Sequence, residues 1–194
     1  MRVLYIYCHP LPESFHSAIR TAALTGLSAA RHEVDQLDLY AEHFDPVLSE
    51  EARRRYHDPA RNRQGLEAYI ARLSAAEGLI VQFPTWCFGP PAMLKGFFDK
   101  LLMPGVAFDM SDPMNIRPSL GHIRKLAGIV TYGQPWWTAF IMADPPRKLV
   151  KRYLRWFIAR NARADFHALY HMNVAGADAR TAFIHRVRAA MARF

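Results

Sequence analysis

Two loops in this chain carry residue types with ligand chemistry, and each directly follows an apolar run. The first is Cys8-His9-Pro10-Leu11-Pro12-Glu13-Ser14-Phe15-His16-Ser17, after Val3-Leu4-Tyr5-Ile6-Tyr7. Its serines and histidines are hydrogen-bond donors at an expected helix start, where free N–H groups and the positive dipole end attract anions. His9, Ser14, Phe15, His16 and Ser17 are therefore candidate phosphate-binding residues. A helix cap would also explain Ser14, and a structural role would explain His9. Two histidines on one loop at a strand end favour the anion site. Neither a G-x-G-x-x-G fingerprint nor a lysine-bearing P-loop occurs.

The second loop, Phe83-Pro84-Thr85-Trp86-Cys87-Phe88-Gly89-Pro90-Pro91, follows Gly78-Leu79-Ile80-Val81-Gln82. Pro84, Trp86 and Phe88 make a stiff aromatic surface, and the backbone N–H groups from Thr85 to Phe88 are expected to face the strand end. Such a surface suits a flavin ring, which gathers negative charge on reduction. Simple core packing of Trp86 and Phe88 is the plain alternative. Cys87 has no base or carboxylate nearby in sequence, so it reads as a packed or ring-adjacent thiol rather than a nucleophile. In a third loop, Thr131-Tyr132-Gly133-Gln134-Pro135-Trp136-Trp137, Gly133 allows close backbone approach to a ligand. Trp136 and Trp137 suit an aromatic substrate pocket or a subunit interface equally well.

The elements that must position these loops alternate between strand-like and helix-like patterns. Strands are expected at 2–8, 34–39, 78–83, 126–131 and 166–174. Helices are expected at 16–30, late in 49–76, after Pro90 or Pro91, at 146–160 with Leu149, Val150, Tyr153, Leu154, Phe157 and Ile158 buried, and at 179–191. Residues 104–122 read as a long loop or short hairpin. This alternation predicts an α/β, flavodoxin-like doubly wound parallel sheet of five strands in the order 2-1-3-4-5. Ligands of such sheets sit outside the carboxyl ends of the strands, where the winding reverses.

The chain has 194 residues, 51% of them hydrophobic, and reads as one domain, 1–194. No apolar run is long enough to span a bilayer, and the first residues lack a signal-peptide pattern. Two cysteines are too few for a disulfide framework, so a cytoplasmic setting is expected. No metal centre is expected. The net charge of +8 comes largely from Arg53-Arg54-Arg55 with Arg61 and Arg63, and from the cations between 147 and 163. Basic surface concentrates anions, although most of these residues read as a solvated face. Nucleic-acid binding is disfavoured because no reading motif accompanies the charge.

The combined loops resemble the NAD(P)H:quinone oxidoreductase family of flavodoxin-like flavoproteins, and its short bacterial members in particular. The resemblance is carried by His9 with Ser14-Phe15-His16, by Phe83-Pro84-Thr85-Trp86-Cys87-Phe88-Gly89-Pro90-Pro91-Ala92-Met93-Leu94-Lys95-Gly96, and by Phe44-Asp45-Pro46-Val47-Leu48-Ser49. It implies FMN or FAD held by His9, Ser14 to Ser17, Pro84 to Phe88 and Thr131, Tyr132 and Gly133. It also implies NAD(P)H as reductant, a quinone or other electron-poor aromatic as acceptor, and a homodimer. This chain departs from the family at Cys87, at the Val130-Thr131-Tyr132-Gly133 segment, and at the proton-relaying side chains, for which only Tyr132 and Gln134 stand as candidates. An ancillary subunit docking to a membrane transport protein through 146–160 is the alternative that the resemblance leaves open.

Overall fold

The computed structural model describes all 194 residues. Five parallel strands form one sheet. They are β1 (Arg2–Tyr7), β2 (Glu33–Asp38), β3 (Gly78–Pro84), and two later strands that we number β6 (Lys125–Thr131) and β7 (Arg163–Leu169), in the spatial order β2-β1-β3-β6-β7. Counting only sheet strands, this is the expected 2-1-3-4-5. A separate two-stranded hairpin, β4 (Phe108–Asp109) with β5 (Arg117–Pro118), lies within residues 104–122.

The period-two alternation of β1 divides the core between the two sheet faces. Val3, Tyr5 and Tyr7 point to one face with Ile80 and Ile129. There they meet Ile19, Ala23 and Leu27 of α1 (Phe15–Ala29) and Phe183, Val187 and Met191 of α8 (Ala177–Met191). Leu4, Ile6 and Cys8 point to the other face with Val81 and Phe83. There they meet α3 (Glu67–Ala75) and Phe97, Phe98 and Leu101 of α4 (Ala92–Leu101). Every residue of β3 is buried, as a central parallel strand requires. Between β2 and α3 lies the short α2 (Glu50–Arg55), capped by Ser49, with Glu50 and Glu51 ahead of its arginines. Three short helical pieces follow β6: α5 (Trp136–Ile141), α6 (Pro145–Lys148) and α7 (Arg155–Phe157), with a π-helical segment, Leu149–Leu154, between the last two. No helix is long and apolar enough to cross a membrane.

Three expectations about elements change. The last strand runs Arg163–Leu169, not 166–174. As an edge strand it is only half buried, so hydrophobicity marks its boundary weakly, and His171 at φ 61° has already turned away from the sheet. The single helix over 146–160 is divided by the π-helical segment, whose wider turn rotates the face, leaving Tyr153 49% exposed and Leu149 only partly covered. Pro91 is the cap residue of α4, outside the helical turn.

Gly96 is where α4 meets the segment after β2. A Cβ there would lie 2.1 Å from the Pro46 carbonyl oxygen and 2.6 Å from its Cα. Backbone rather than a flexible side chain blocks the space. Gly96→Ala is expected to destabilise the protein by about 1–3 kcal/mol through overpacking. Urea unfolding checks this, and an unchanged midpoint would mean that α4 slides freely on residues 45–47.

Candidate functional site

The first, second and third loops converge at the carboxyl ends of β1, β3 and β6. A buried chain of hydrogen bonds ties them together. The Tyr5 hydroxyl donates to Gln82 Oε1. The Gln82 amide Nε2 donates to the His16 carbonyl at 2.7 Å and to His16 Nδ1 at 3.0 Å. Nδ1 is thereby an acceptor, so the ring proton sits on Nε2 and is donated to Thr131 Oγ1 at 2.8 Å. The proton of the Thr131 hydroxyl is left to point elsewhere. The Thr85 N–H donates to the Thr131 carbonyl at 2.9 Å, which closes the link between the second and third loops.

Burial sets the protonation of this chain. His16 is 4% exposed, and desolvation, with a smaller push from His9, lowers its pKa to about 3. It is neutral at physiological pH, as the assigned hydrogen bonds require. Burial likewise raises the Tyr5 hydroxyl far above its ordinary range and lowers His9. The His9 ring stacks on His16 with centroids 5.4 Å apart, and Trp86 lies 6.3 Å from it. Residues 9 and 86 thus face each other across the β1–β3 junction.

At the first loop, Ser14 caps α1: its Oγ accepts from the Ser17 N–H at 3.3 Å. The N–H groups of Phe15 and His16 have no partner in the chain. The Tyr7 hydroxyl, beside Ser14, is buried and also unpartnered. These orphaned donors at a helix N-terminus match a phosphate group. The His16 side chain does not contribute, because both ring nitrogens are occupied. His9 Nδ1 accepts from the Leu11 N–H at 3.1 Å, leaving Nε2 as its outward donor.

The second loop is a tight turn. Cys87 and Phe88 have φ of 50° and 55°, and Trp86 and Gly89 exchange backbone hydrogen bonds of 3.0 and 2.9 Å. Two successive non-glycine residues in the left-handed region store strain, which folds tolerate mainly where function repays it. Of the four expected backbone donors, Thr85 and Trp86 are taken by the sheet and the turn. Cys87 and Phe88 are free. Trp86 and Cys87 are exposed, Phe88 and Thr85 partly covered, and Pro84 buried as the last residue of β3.

The third loop departs furthest from expectation. The Tyr132 side chain is buried beneath the surface, its hydroxyl donates to Asp144 Oδ1 at 2.6 Å, and its ring stacks on Tyr170. Burial and the Asp144 carboxylate both raise its pKa far above the ordinary tyrosine range. The Tyr132 side chain is thus buried and hydrogen-bonded inward, and Gln134 is the exposed member of the candidate pair. At Gly133 the space a Cβ would need is filled by the Asn173 side chain, 3.0 Å away, so the glycine admits Asn173. Sequence reasoning missed Gln82 and Tyr5. A glutamine inside an otherwise apolar buried strand was the available signal, because a buried amide demands partners.

The family described as flavodoxin-like fold matches residues 1–168. A ribosyldihydronicotinamide dehydrogenase (quinone) of Rattus norvegicus is 31% identical over 125 residues, covering 56% of this chain and 54% of the relative. An FMN-dependent NADH:quinone oxidoreductase 1 of Bradyrhizobium diazoefficiens is 30% identical over 118 residues, covering 55% of this chain and 57% of that protein. The chain spans about half the length of the curated relatives it matches. The crystal structure of Smu.1420 from Streptococcus mutans UA159 superimposes with a TM-score of 0.88 at 30% identity and full coverage of both chains.

Proposed function

The chain belongs to the flavodoxin-like fold family, and from that premise we propose that it is a flavin-dependent NAD(P)H oxidoreductase. The observation that carries this reading is the pairing of two sets of free donors at one sheet end. The N–H groups of Phe15 and His16, with the Tyr7 hydroxyl, would hold the phosphate of FMN or FAD. The N–H groups of Cys87 and Phe88 would face the ring, with Trp86 and His9 along its edge. When bound, the flavin supplies two-electron chemistry, accepting hydride from NAD(P)H and passing it to a quinone or similar electron-poor aromatic.

The protein's own part is orientation and electrostatics. Free N–H dipoles at Cys87 and Phe88 favour negative charge on whatever lies against them, and the turn holds them in place without reorganisation. The neutral His16 aims Thr131 from behind. No nucleophile is required, and burial pushes the Cys8 thiol up to about 12, so it stays protonated.

A homodimer in the cytoplasm, each chain one domain, completes the proposal. Trp137 and Ile141 share a face of α5 and are 54% and 71% exposed, an apolar surface suited to a second copy. Docking of 146–160 to a membrane protein is not favoured, because the residues named above account for the fold's site without it.

Reconstitution with FMN or FAD tests the reading. The protein is expected to turn yellow and retain about one flavin per chain. Failure to bind either flavin in calorimetry ends the proposal. Ser14→Ala separates its two roles at the phosphate seat. If the hydroxyl also donates to phosphate, FMN affinity falls by about 1–3 kcal/mol while riboflavin affinity barely moves. Equal losses for the two ligands would leave Ser14 as a cap alone.

A further inference from the structure

A cavity lies where the third loop runs into α5. It has a volume of about 520 Å³ and opens between α5, α6, the π-helical segment and the residue after β7. Trp136 and Phe140, four residues apart on one face of α5, form an aromatic wall. The Trp137–Ile141 pair lies on a different face of the same helix, about 100° around its axis.

The rest of the lining is largely cationic. Arg147, Lys148, Lys151 and Arg152 lie there, and none of the four forms an ion pair. Two are partly engaged: Lys151 donates to the Ala164 carbonyl, and the Arg147 guanidinium lies over the Phe166 ring at 5.4 Å. The side chains of Lys148 and Arg152 have no hydrogen-bond partner in the chain and are exposed. The cavity holds one carboxylate, Asp144, against these four cations, so its lining keeps a positive excess. Asp144 Oδ1 accepts from the Tyr132 hydroxyl and the Arg147 N–H.

The backbone around the cavity is unusual in two ways. Ala143 and Asp144 have φ of 60° and 45°, both left-handed without glycine. The six residues Leu149–Leu154 are π-helical, a form concentrated at functional sites. The cations and the aromatic wall line one space. A flat ring carrying a phosphate fits that pattern. A phosphomonoester bears about −1.5 to −2 charges at pH 7 and offers three acceptor oxygens, more than a carboxylate.

We propose that this cavity holds the 2′-phosphoadenosine end of NADPH, with the base against Trp136 and Phe140 and the 2′-phosphate on Lys148 and Arg152. The inference rests on the flavoenzyme reading above, since that reading supplies the nicotinamide's destination. Reach is sufficient: Trp136 is three residues from Gly133, so the two Cα atoms are at most about 11 Å apart. The site makes the protein selective for NADPH over NADH, which lacks the 2′-phosphate.

Calorimetry with adenosine 2′,5′-bisphosphate, 5′-AMP and 2-naphthalenesulfonate on the flavin-loaded protein tests this. The bisphosphate is expected to bind once per chain and at least tenfold tighter than the other two. The double variant Lys148→Gln, Arg152→Gln should lose about tenfold or more of that affinity. It should also cut the NADPH-over-NADH preference in flavin reduction by a similar factor. Phe140→Ala should weaken the bisphosphate and 5′-AMP alike, which keeps the test open should the double variant fold poorly. Absence of bisphosphate binding, binding untouched by either variant, or equal binding of the sulfonate overturns the assignment. If the visible spectrum shows bound flavin reduced equally by NADH and NADPH, the flavoenzyme reading stands and this inference falls. If no flavin binds, the reading itself falls.

Discussion

Gln82→Leu is expected to unfold about 3–5 kcal/mol more easily than the parent protein, the largest loss for any single residue at the site. Leucine matches glutamine closely in volume, so packing is nearly preserved and the effect is polar. It strands the Tyr5 hydroxyl and His16 Nδ1 in a buried setting, each having had Gln82 as partner, and removes a second donor from the His16 carbonyl. Each orphaned group costs about 1–3 kcal/mol, less whatever relaxation recovers. The same substitution frees His16 to rotate, so Thr131 loses its fixed donor and flavin affinity should fall with stability. Urea unfolding and flavin titration of the same variant provide the check. A stability change below about 1 kcal/mol would show that the chain from Tyr5 to Thr131 is incidental to the fold.

Acid should destabilise this protein before its carboxylates titrate, and His16 is the reason. In the unfolded chain His16 titrates near its ordinary value of 6.5, whereas in the folded protein burial lowers it to about 3. Between these values the unfolded state binds a proton that the folded state refuses. Stability is therefore unaffected by His16 above pH 6.5 and falls steadily as pH drops toward 3. From pH 7 to pH 4.5 the loss attributable to His16 is about 2–3 kcal/mol. His9 and His167 are shifted the same way, by burial, and add to the slope. Comparison with His16→Asn isolates the one residue: its stability should decline less steeply with acid, even if it is lower at pH 7. Parallel pH profiles for the two proteins would mean that His16 is protonated in the folded state.

Much of this site is local chemistry, and local chemistry is legible in sequence. Ser14 before a helical pattern, the apolar run of β3, and the proline-bounded turn at 84–91 each declare themselves within a few residues. The order of the sheet follows from the alternation of strands with helices, because right-handed crossovers leave few arrangements. That order already implies that the first and second loops share one end of the sheet.

What the alternation does not contain is which atoms remain free once the chain has folded. Four backbone donors were expected in the second loop. Pairing of Thr85 with Thr131 and the turn at Trp86–Gly89 consume two, a fact set by strand register and by φ at Cys87 and Phe88. His16 reads as a phosphate donor from its neighbours in sequence. Only contact with Gln82 and Thr131, 66 and 115 residues away, turns it into a buried strut. Tyr132 reads as a ligand-lining candidate beside Gly133, yet its side chain is drawn inward by Asp144 and Tyr170. The sequence by itself determined the fold, the strand ends and the residue types gathered there, because periodicity and turn chemistry act over short spans. Tertiary structure alone decided which donors are spent and which are available. A hydrogen bond made across the sheet removes a group from chemistry without leaving any mark on the residues next to it in the chain.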